Sequence, residues 1–522
     1  MSYLYIRFRC VPSVSVQLRG REKMTTLGDA RGLGKLAIGG VLIVLAVWTW
    51  SVLAATPARF VFVALIGTLG IVVLWASIRA DPAPKPPTKG GRSHRDDRVW
   101  SNKGTWSADG STSRGALHLS FLGRPLSRRR LLGTLVAIPV VLLSSFAALT
   151  AIAAIRYPRE YVWRILAWRD SDVGDFLTHF PQRVLSASPS PYQFDVALDE
   201  RRVAAAFETA FSVDDFEAFL AGTATQAFVV VQDDRIVYES YFNGWRRDSM
   251  LTSYSVAKSF ASTLVGIAIQ EGFIGGIDDP ITQYLPELLD RDPAFANITI
   301  RHLLTMSSGL DYQEIRWGLY NSDDALTSYY PDQRHISLYN THIVDPPGEY
   351  FLYNKYHPQL LGLILERTTG MSVTEWTQTR VWDPLGMEFD GAWCLDSTTS
   401  GFEKMEAGLN ARAIDFAKFG RLFLHDGDWN GASIVHPDWV ALATGRNPAG
   451  RAPAFSDDEY YAFMWWGFPR ENEPPDFAAW GDRGQFVYVS PANRLIIVRN
   501  GGEYGIDPER WPEGFYRAVS EL

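Results

Sequence analysis

The stretch Thr252-Ser253-Tyr254-Ser255-Val256-Ala257-Lys258-Ser259-Phe260 decides how the rest of the chain is read. Ser255 and Lys258 stand three residues apart. The residues that follow, through Leu264, Ile267 and Ile269 to Gly272, predict a buried helix with a glycine stop. Positions i and i+3 share one helix face, so a hydroxyl and an amine at this spacing can meet. If the helix starts near Ser255, its dipole favours negative charge developing there. A serine hydroxyl is a weak nucleophile until a base takes its proton. Lysine serves as that base when burial lowers its pKa, and Tyr254, Val256, Ala257 and Phe260 offer apolar surroundings. Ser-x-x-Lys is short and also occurs on ordinary surface helices, so its meaning depends on the rest of the chain.

The 522 residues leave room for a large core and more than one domain, and the net charge of -8 argues against a nucleic-acid partner. Cys10 and Cys394 cannot build a disulfide framework and fit either redox compartment. There is no His-Glu-x-x-His, and the nine histidines show no ligand spacing, so neither a catalytic metal nor a cofactor is expected. His302 reads as structural. The lack of Gly-x-Ser-x-Gly argues against an α/β-hydrolase.

Three apolar runs, about residues 36–55, 59–78 and 131–155, each approach the ~20 residues that cross a bilayer. The alternatives are buried core helices or, for the first run, a signal peptide; no small-residue cleavage site follows it. Basic residues precede the first run and fill the segment between the second and third, including Arg128-Arg129-Arg130. The positive-inside rule then puts the N-terminus (1–34) and the 79–130 loop in the cytoplasm and everything after Ile155 outside. Arg156, Arg159, Arg164 and Arg169 oppose that orientation without reversing it. The Pro-, Gly- and Ser-rich stretch 81–115 reads as disordered. Met1 to Lys23 lacks periodicity, so Met24 is an alternative start. Residues 156–192 read as a juxtamembrane connector with short helices, and 193–522 as the globular domain.

Within that domain Val213 to Leu220 reads as a helix. Gln226–Val231 and Arg235–Tyr241 around Asp233-Asp234 read as a hairpin, as do Gln485–Val489 and Arg494–Val498 around residues 490–493. From Asp278 to about His425 the pattern is mostly helical. Strands at both ends with helices between predict an α/β domain of the α+β sandwich kind. Its single antiparallel sheet would be closed by the two chain ends, flanked by helices and interrupted by a helical subdomain, with a site in the cleft between. Trp317, Tyr320, Tyr329, Tyr330, Trp465 and Trp466 either line that cleft or anchor core and loops.

The domain resembles the serine β-lactamase and penicillin-binding-protein superfamily. It is most similar to the branch with class C β-lactamases, D-alanyl-D-alanine carboxypeptidases, esterases and 6-aminohexanoate-dimer hydrolases. The resemblance is carried by Ser255-Val-Ala-Lys258, the segment Asp278 to Leu288, and Ile298-Thr-Ile-Arg-His-Leu-Leu-Thr-Met-Ser-Ser-Gly-Leu310. Further on it is carried by Pro347-Gly-Glu-Tyr-Phe-Leu-Tyr353 with Leu360-Leu-Gly362, by Asp415 to Leu422, and by Gly481-Asp-Arg-Gly-Gln-Phe-Val487. These run in family order from about Phe228 to Arg499.

The resemblance implies acyl transfer without a cofactor, by Ser255 as nucleophile, Lys258 as base and Tyr353 as proton shuttle. The N–H groups of Ser255 and Gln485 would form the oxyanion hole. Two departures concern substrate binding. The family's Tyr-x-Asn is here Tyr353-Asn354-Lys355, so either Asn354 acts from a shifted position or Lys355 replaces the amide. The family's Lys or His, small residue, Gly triplet is here Asp482-Arg483-Gly484. The expected protein is a membrane-anchored serine hydrolase acting outside the cytoplasm on amide or ester bonds of small or peptide-like substrates, with a lipid bilayer as its other partner. The alternative is a sensor or scaffold of penicillin-recognising type without turnover. The oligomeric state stays open.

Overall fold

The computed structural model describes residues 120–121, 124–125, 143–168, 177–314, 320–453 and 459–522. The first two apolar runs and residues 131–142 of the third lie outside them. Among the described residues no helix is long and apolar enough to cross a membrane. The chain divides into a unit up to Ile152 and one from Ala153 to Leu522. Of the first, the described residues form a two-residue strand pair, Ser120–Phe121 with Arg124–Pro125, and helical residues 143–152.

Two sheets carry the second unit. Their strands in chain order are β1 (Gln182–Leu185), β2 (Asp195–Val196), β3 (Thr225–Gln232), β4 (Arg235–Tyr241), β5 (Leu251–Thr252), β6 (Gly391–Cys394), β7 (Leu409–Ala411), β8 (Tyr460–Tyr461), β9 (Trp466–Arg470), β10 (Glu473–Gly481), β11 (Gln485–Ser490) and β12 (Leu495–Gly501). The helices that matter most are α1 (Glu200–Phe211), α2 (Phe216–Gly222), α3 (Val256–Gln270), α4 (Asp323–Tyr329), α5 (Tyr356–Thr369), α6 (Ala413–Leu424) and α7 (Arg510–Ala518).

The larger sheet runs β8-β9-β10-β11-β12-β3-β4-β2. The antiparallel pairing of β12 with β3 closes it with strands from the two ends of the domain, as the two hairpin patterns predict. The β3–β4 turn places Asp233 and Asp234 at φ 49° and 60°, the doubly left-handed geometry of a tight hairpin. Residues of the central strands β3, β11 and β12 alternate between two cores. Phe228, Val230, Phe486, Tyr488, Leu495 and Ile497 pack under α1, α2 and α7. Val229, Val231, Val487, Val489, Ile496 and Val498 face α3, α6 and the insert. Only β2 joins in parallel, at the edge beside β4.

Helix α2 starts at Phe216, not Val213, because the Asp215 carboxylate accepts the Ala218 N–H at 2.9 Å and fixes the cap there. The insert between α3 and β6 is mostly helical, as expected. A second, four-stranded sheet, ordered β1-β6-β7-β5, was not expected. Its β1 lies in the stretch read as a connector. So does the helix Arg159–Trp168, where the Tyr161 hydroxyl donates to the Tyr320 carbonyl at 2.9 Å. The buried Arg164 guanidinium there donates to the carbonyls of Asp396 at 2.6 Å and Tyr329 at 3.2 Å. This stretch therefore packs on α4.

Candidate active site

Helix α3 is buried on every side from Val256 to Ala268, as befits a helix at the centre of a two-sheet core. Ser255 is its first flanking residue. The chain enters it straight from β5 through Tyr254, which sits at φ 45°. A left-handed bulky residue costs on the order of 1 kcal/mol, and such strain collects where a side chain must be aimed. Ser255 itself makes no capping bond with its side chain.

The Lys258 Nζ lies 2.8 Å from Ser255 Oγ and donates to the Glu406 carbonyl at 2.7 Å. Lys258 is 1 % exposed. Burial pushes its pKa down from 10.5 to about 7, and the Lys355 charge adds to this against Glu406, Asp324 and Asp482. The Nζ also stands 4.9 Å from the centroid of the Tyr353 ring. The Tyr353 hydroxyl lies close enough to Ser255 for the serine to oppose part of the upward push on its phenol. Burial pushes this phenol well above its ordinary range, so it is protonated at neutral pH. Ser255, Lys258 and Tyr353 therefore come together.

The loop 306–310 holds the Tyr353 segment in place. The Gly348 N–H donates to the Ser307 carbonyl at 2.7 Å and the Leu352 N–H to the Met306 carbonyl at 2.8 Å. Ser308 Oγ lies 2.6 Å from His357 Nε2. Burial pushes His357 down to about 3, so this ring is a neutral hydrogen-bonding strut. His302 forms a capping box with Thr299 and is structural, as expected.

The departures from the family motifs resolve into distinct positions. Asn354 is fully buried and turns away from the cleft, accepting the Tyr356 N–H at 2.8 Å at the start of α5. Lys355 pairs with Asp324 and reaches Ser328 Oγ at 3.1 Å, both on α4. The Asp482-Arg483-Gly484 turn connects β10 to β11, with Arg483 at φ 59° and Gly484 at φ 80°. Asp482 is exposed, and its carboxylate accepts the Arg483 N–H at 2.8 Å. Arg483 turns toward the Gly502 carbonyl at 3.4 Å and Glu503 at 3.7 Å. The Gly484 carbonyl accepts from the buried Arg499 at 2.7 Å.

Gln485 is opposite Gly481 in the β10–β11 pair, and its side chain is bound into β12 through the Gly501 carbonyl at 2.7 Å. A Cβ on Gly481 would stand 2.5 Å from the Ser253 carbonyl oxygen and 3.0 Å from the Ser255 nitrogen. Only glycine lets this strand end approach the start of α3 so closely.

Of the six aromatics, Trp466 stacks on Tyr353 with centroids 6.1 Å apart and flanks the site, whereas Trp465 is core, packed on Phe419 and Phe423. Tyr320, Tyr329 and Tyr330 join a satellite cluster around the helix Arg159–Trp168. Trp317 lies outside the described residues. Sequence reading missed Glu406, Lys404, Asp324 and Ser328. Lys404 is buried, bonds Glu406 at 2.6 Å and donates to the Ser328 carbonyl at 2.8 Å. A second buried charged group, Lys418 with Asp415, pins the loop 386–389 and touches no site residue.

The beta-lactamase family profile matches residues 214–500. A 6-aminohexanoate-dimer hydrolase from Paenarthrobacter ureafaciens is 28% identical over 317 residues, covering 57% of this chain and 77% of that protein. Esterase EstB from Burkholderia gladioli is 27% identical over 220 residues, covering 39% of this chain and 54% of its own. The structure of a putative 6-aminohexanoate-dimer hydrolase from Bacillus anthracis superimposes with a TM-score of 0.56 at 24% identity, over 68% of this chain and 92% of that one, and so shares the fold. With a profile match across more than half of its length and this fold, the chain belongs to the beta-lactamase family of serine hydrolases, which act on amide and ester bonds.

Proposed function

We propose that the chain is a membrane-anchored hydrolase that cleaves esters or amides of small or peptide-like substrates outside the cytoplasm, through an acyl-enzyme on Ser255. The observation that carries the chemistry is a buried amine near neutrality at hydrogen-bond distance from a hydroxyl. One N–H of the neutral amine bonds the Glu406 carbonyl, which leaves its lone pair for the Ser255 proton. Ser255 Oγ attacks the substrate carbonyl carbon as that proton passes to Nζ. The oxyanion meets the N–H groups of Ser255 and Gln485, brought near each other by Gly481. Tyr353, protonated and beside Lys258, passes a proton to the leaving alcohol or amine as the carbonyl reforms and takes the proton held on Nζ in exchange, which restores both groups. Water then attacks the acyl-enzyme, returning the acid and a free Ser255.

The probe for this reading is a fluorophosphonate. Intact-mass analysis is expected to show one phosphonyl adduct, located on the Ser255 peptide and missing in Ser255→Ala. An adduct on another residue would reassign the nucleophile.

The anchoring rests on the three apolar runs and the basic segments beside them. Protease added to intact cells or spheroplasts is expected to cleave after Ile155. Cleavage seen only after lysis would reverse the orientation.

A further inference from the structure

We propose that Lys404 is a positioning residue for acyl transfer: its buried ammonium ties the Glu406 side chain to the end of α4 and so fixes the carbonyl that holds Lys258 against Ser255. The inference rests on Lys258 being the base of Ser255.

Lys258 carries its amine on a flexible stem, so the aim of Nζ is set by what it bonds. One partner is Ser255 Oγ, the reacting atom, at 2.8 Å. The other is the Glu406 carbonyl at 2.7 Å. That carbonyl belongs to a turn between β6 and β7. The Lys404 N–H donates to the Cys394 carbonyl at 2.9 Å, and the Gly408 N–H donates to the Lys404 carbonyl at 2.7 Å. Met405 is buried against α5, where a Cβ on Gly362 would stand 2.6 Å from its Cγ.

The Glu406 side chain is placed by Lys404. Its Oε1 accepts from Lys404 Nζ at 2.6 Å, and its buried Oε2 has no hydrogen-bond partner among the described residues. The same Nζ donates at 2.8 Å to the Ser328 carbonyl in the last turn of α4, where a cation offsets the negative helix end. It also faces the buried Phe180 ring, 4.7 Å from the centroid. Both members of the pair are shut off from water, with side chains 0 % and 2 % exposed. A buried ion pair is often replaceable by apolar side chains when stability is its only task. Another such pair, Lys418 with Asp415, pins the loop 386–389 and ends there. The Lys404 pair ends on the anchor of the base.

The test measures kcat and KM of the full-length chain for a neutral activated ester, the rate of Ser255 phosphonylation by a fluorophosphonate, and a thermal melt. Rates are taken well above the Lys258 pKa of about 7, so that a charge removed at 404 or 406 does not act through protonation of the base. Lys404→Met is expected to lower kcat and the phosphonylation rate alike, on the order of 10²-fold, as a displacement of about 1 Å at a reacting group does, with KM held. Lys404→Arg keeps the cation and recovers most of the loss. Because Lys404→Met strands a buried carboxylate, the double variant Lys404→Met/Glu406→Met removes both charges; it is expected to fold and to stay as slow as Lys404→Met. Lys418→Met is expected to lower the melt and leave kcat. Turnover at the unmodified rate in the folded double variant, a loss confined to KM, no recovery in a folded Lys404→Arg, or an equal kcat loss in Lys418→Met overturns the proposal. Failure of the underlying reading looks different, because Lys258→Ala would then keep its turnover whatever the Lys404 variants do.

Discussion

Ser255→Ala is expected to lower turnover of a neutral activated ester by on the order of 10⁶-fold, as loss of the nucleophile does in serine hydrolases. The fold is expected to survive. The Ser255 side chain makes no capping bond to α3, so the helix start loses no partner. Helix α3 stays buried between the sheet, α6 and the insert. Lys258 keeps the Glu406 carbonyl, and the downward push of burial on its pKa limits the charge left in the core. Steady-state rates on the ester, together with a thermal melt, check both halves. Turnover near that of the unmodified protein would remove Ser255 from the chemistry.

The elements that were legible from sequence are those whose signal is local. The β3–β4 and β11–β12 hairpins show strand-length alternation around a turn, and the alternation survives as the division between two cores. Ser255 and Lys258 meet because i and i+3 share a helix face, a geometry that needs no tertiary information. The four-stranded sheet was not legible because β5 and β7 span two and three residues, too short for any period to register.

The support of the base was hidden for another reason. Glu406 contributes a main-chain carbonyl from 148 residues away, and a carbonyl contact leaves no mark on residue type. The choice between Asn354 and Lys355 needed tertiary structure. Both are polar and adjacent, and only the start of α5 turns Asn354 inward and leaves Lys355 toward α4. The apolar runs that suggest membrane spans fall outside the described residues apart from 143–155.

Asp482→Lys is expected to raise penicillin turnover relative to ester turnover by about 100-fold. By resemblance, a Lys or His at this motif helps to hold the substrate carboxylate; here a carboxylate occupies the position. Two like charges ~4 Å apart at an effective dielectric of ~20 repel by about 4 kcal/mol. Asp482 is exposed, so water and salt reduce this to on the order of 1.4 kcal/mol, a tenfold loss in binding. Replacing repulsion by attraction doubles the change and gives the ~100-fold. The Arg483 guanidinium reaches the Gly502 carbonyl and Glu503 and lies 6.0 Å from the Tyr254 ring centroid. The substitution leaves the turn standing, because Arg499 still holds the Gly484 carbonyl and the Gln485 side chain still holds the Asp482 carbonyl at 3.2 Å. The unmodified protein is accordingly expected to be a poor β-lactamase that prefers neutral or cationic esters and amides. Parallel rates on a neutral short-chain ester and a penicillin, in the unmodified protein and in Asp482→Lys, decide it. Efficient penicillin turnover before substitution, or an unchanged ratio after it, would show that Asp482 does not face the acyl side of the substrate.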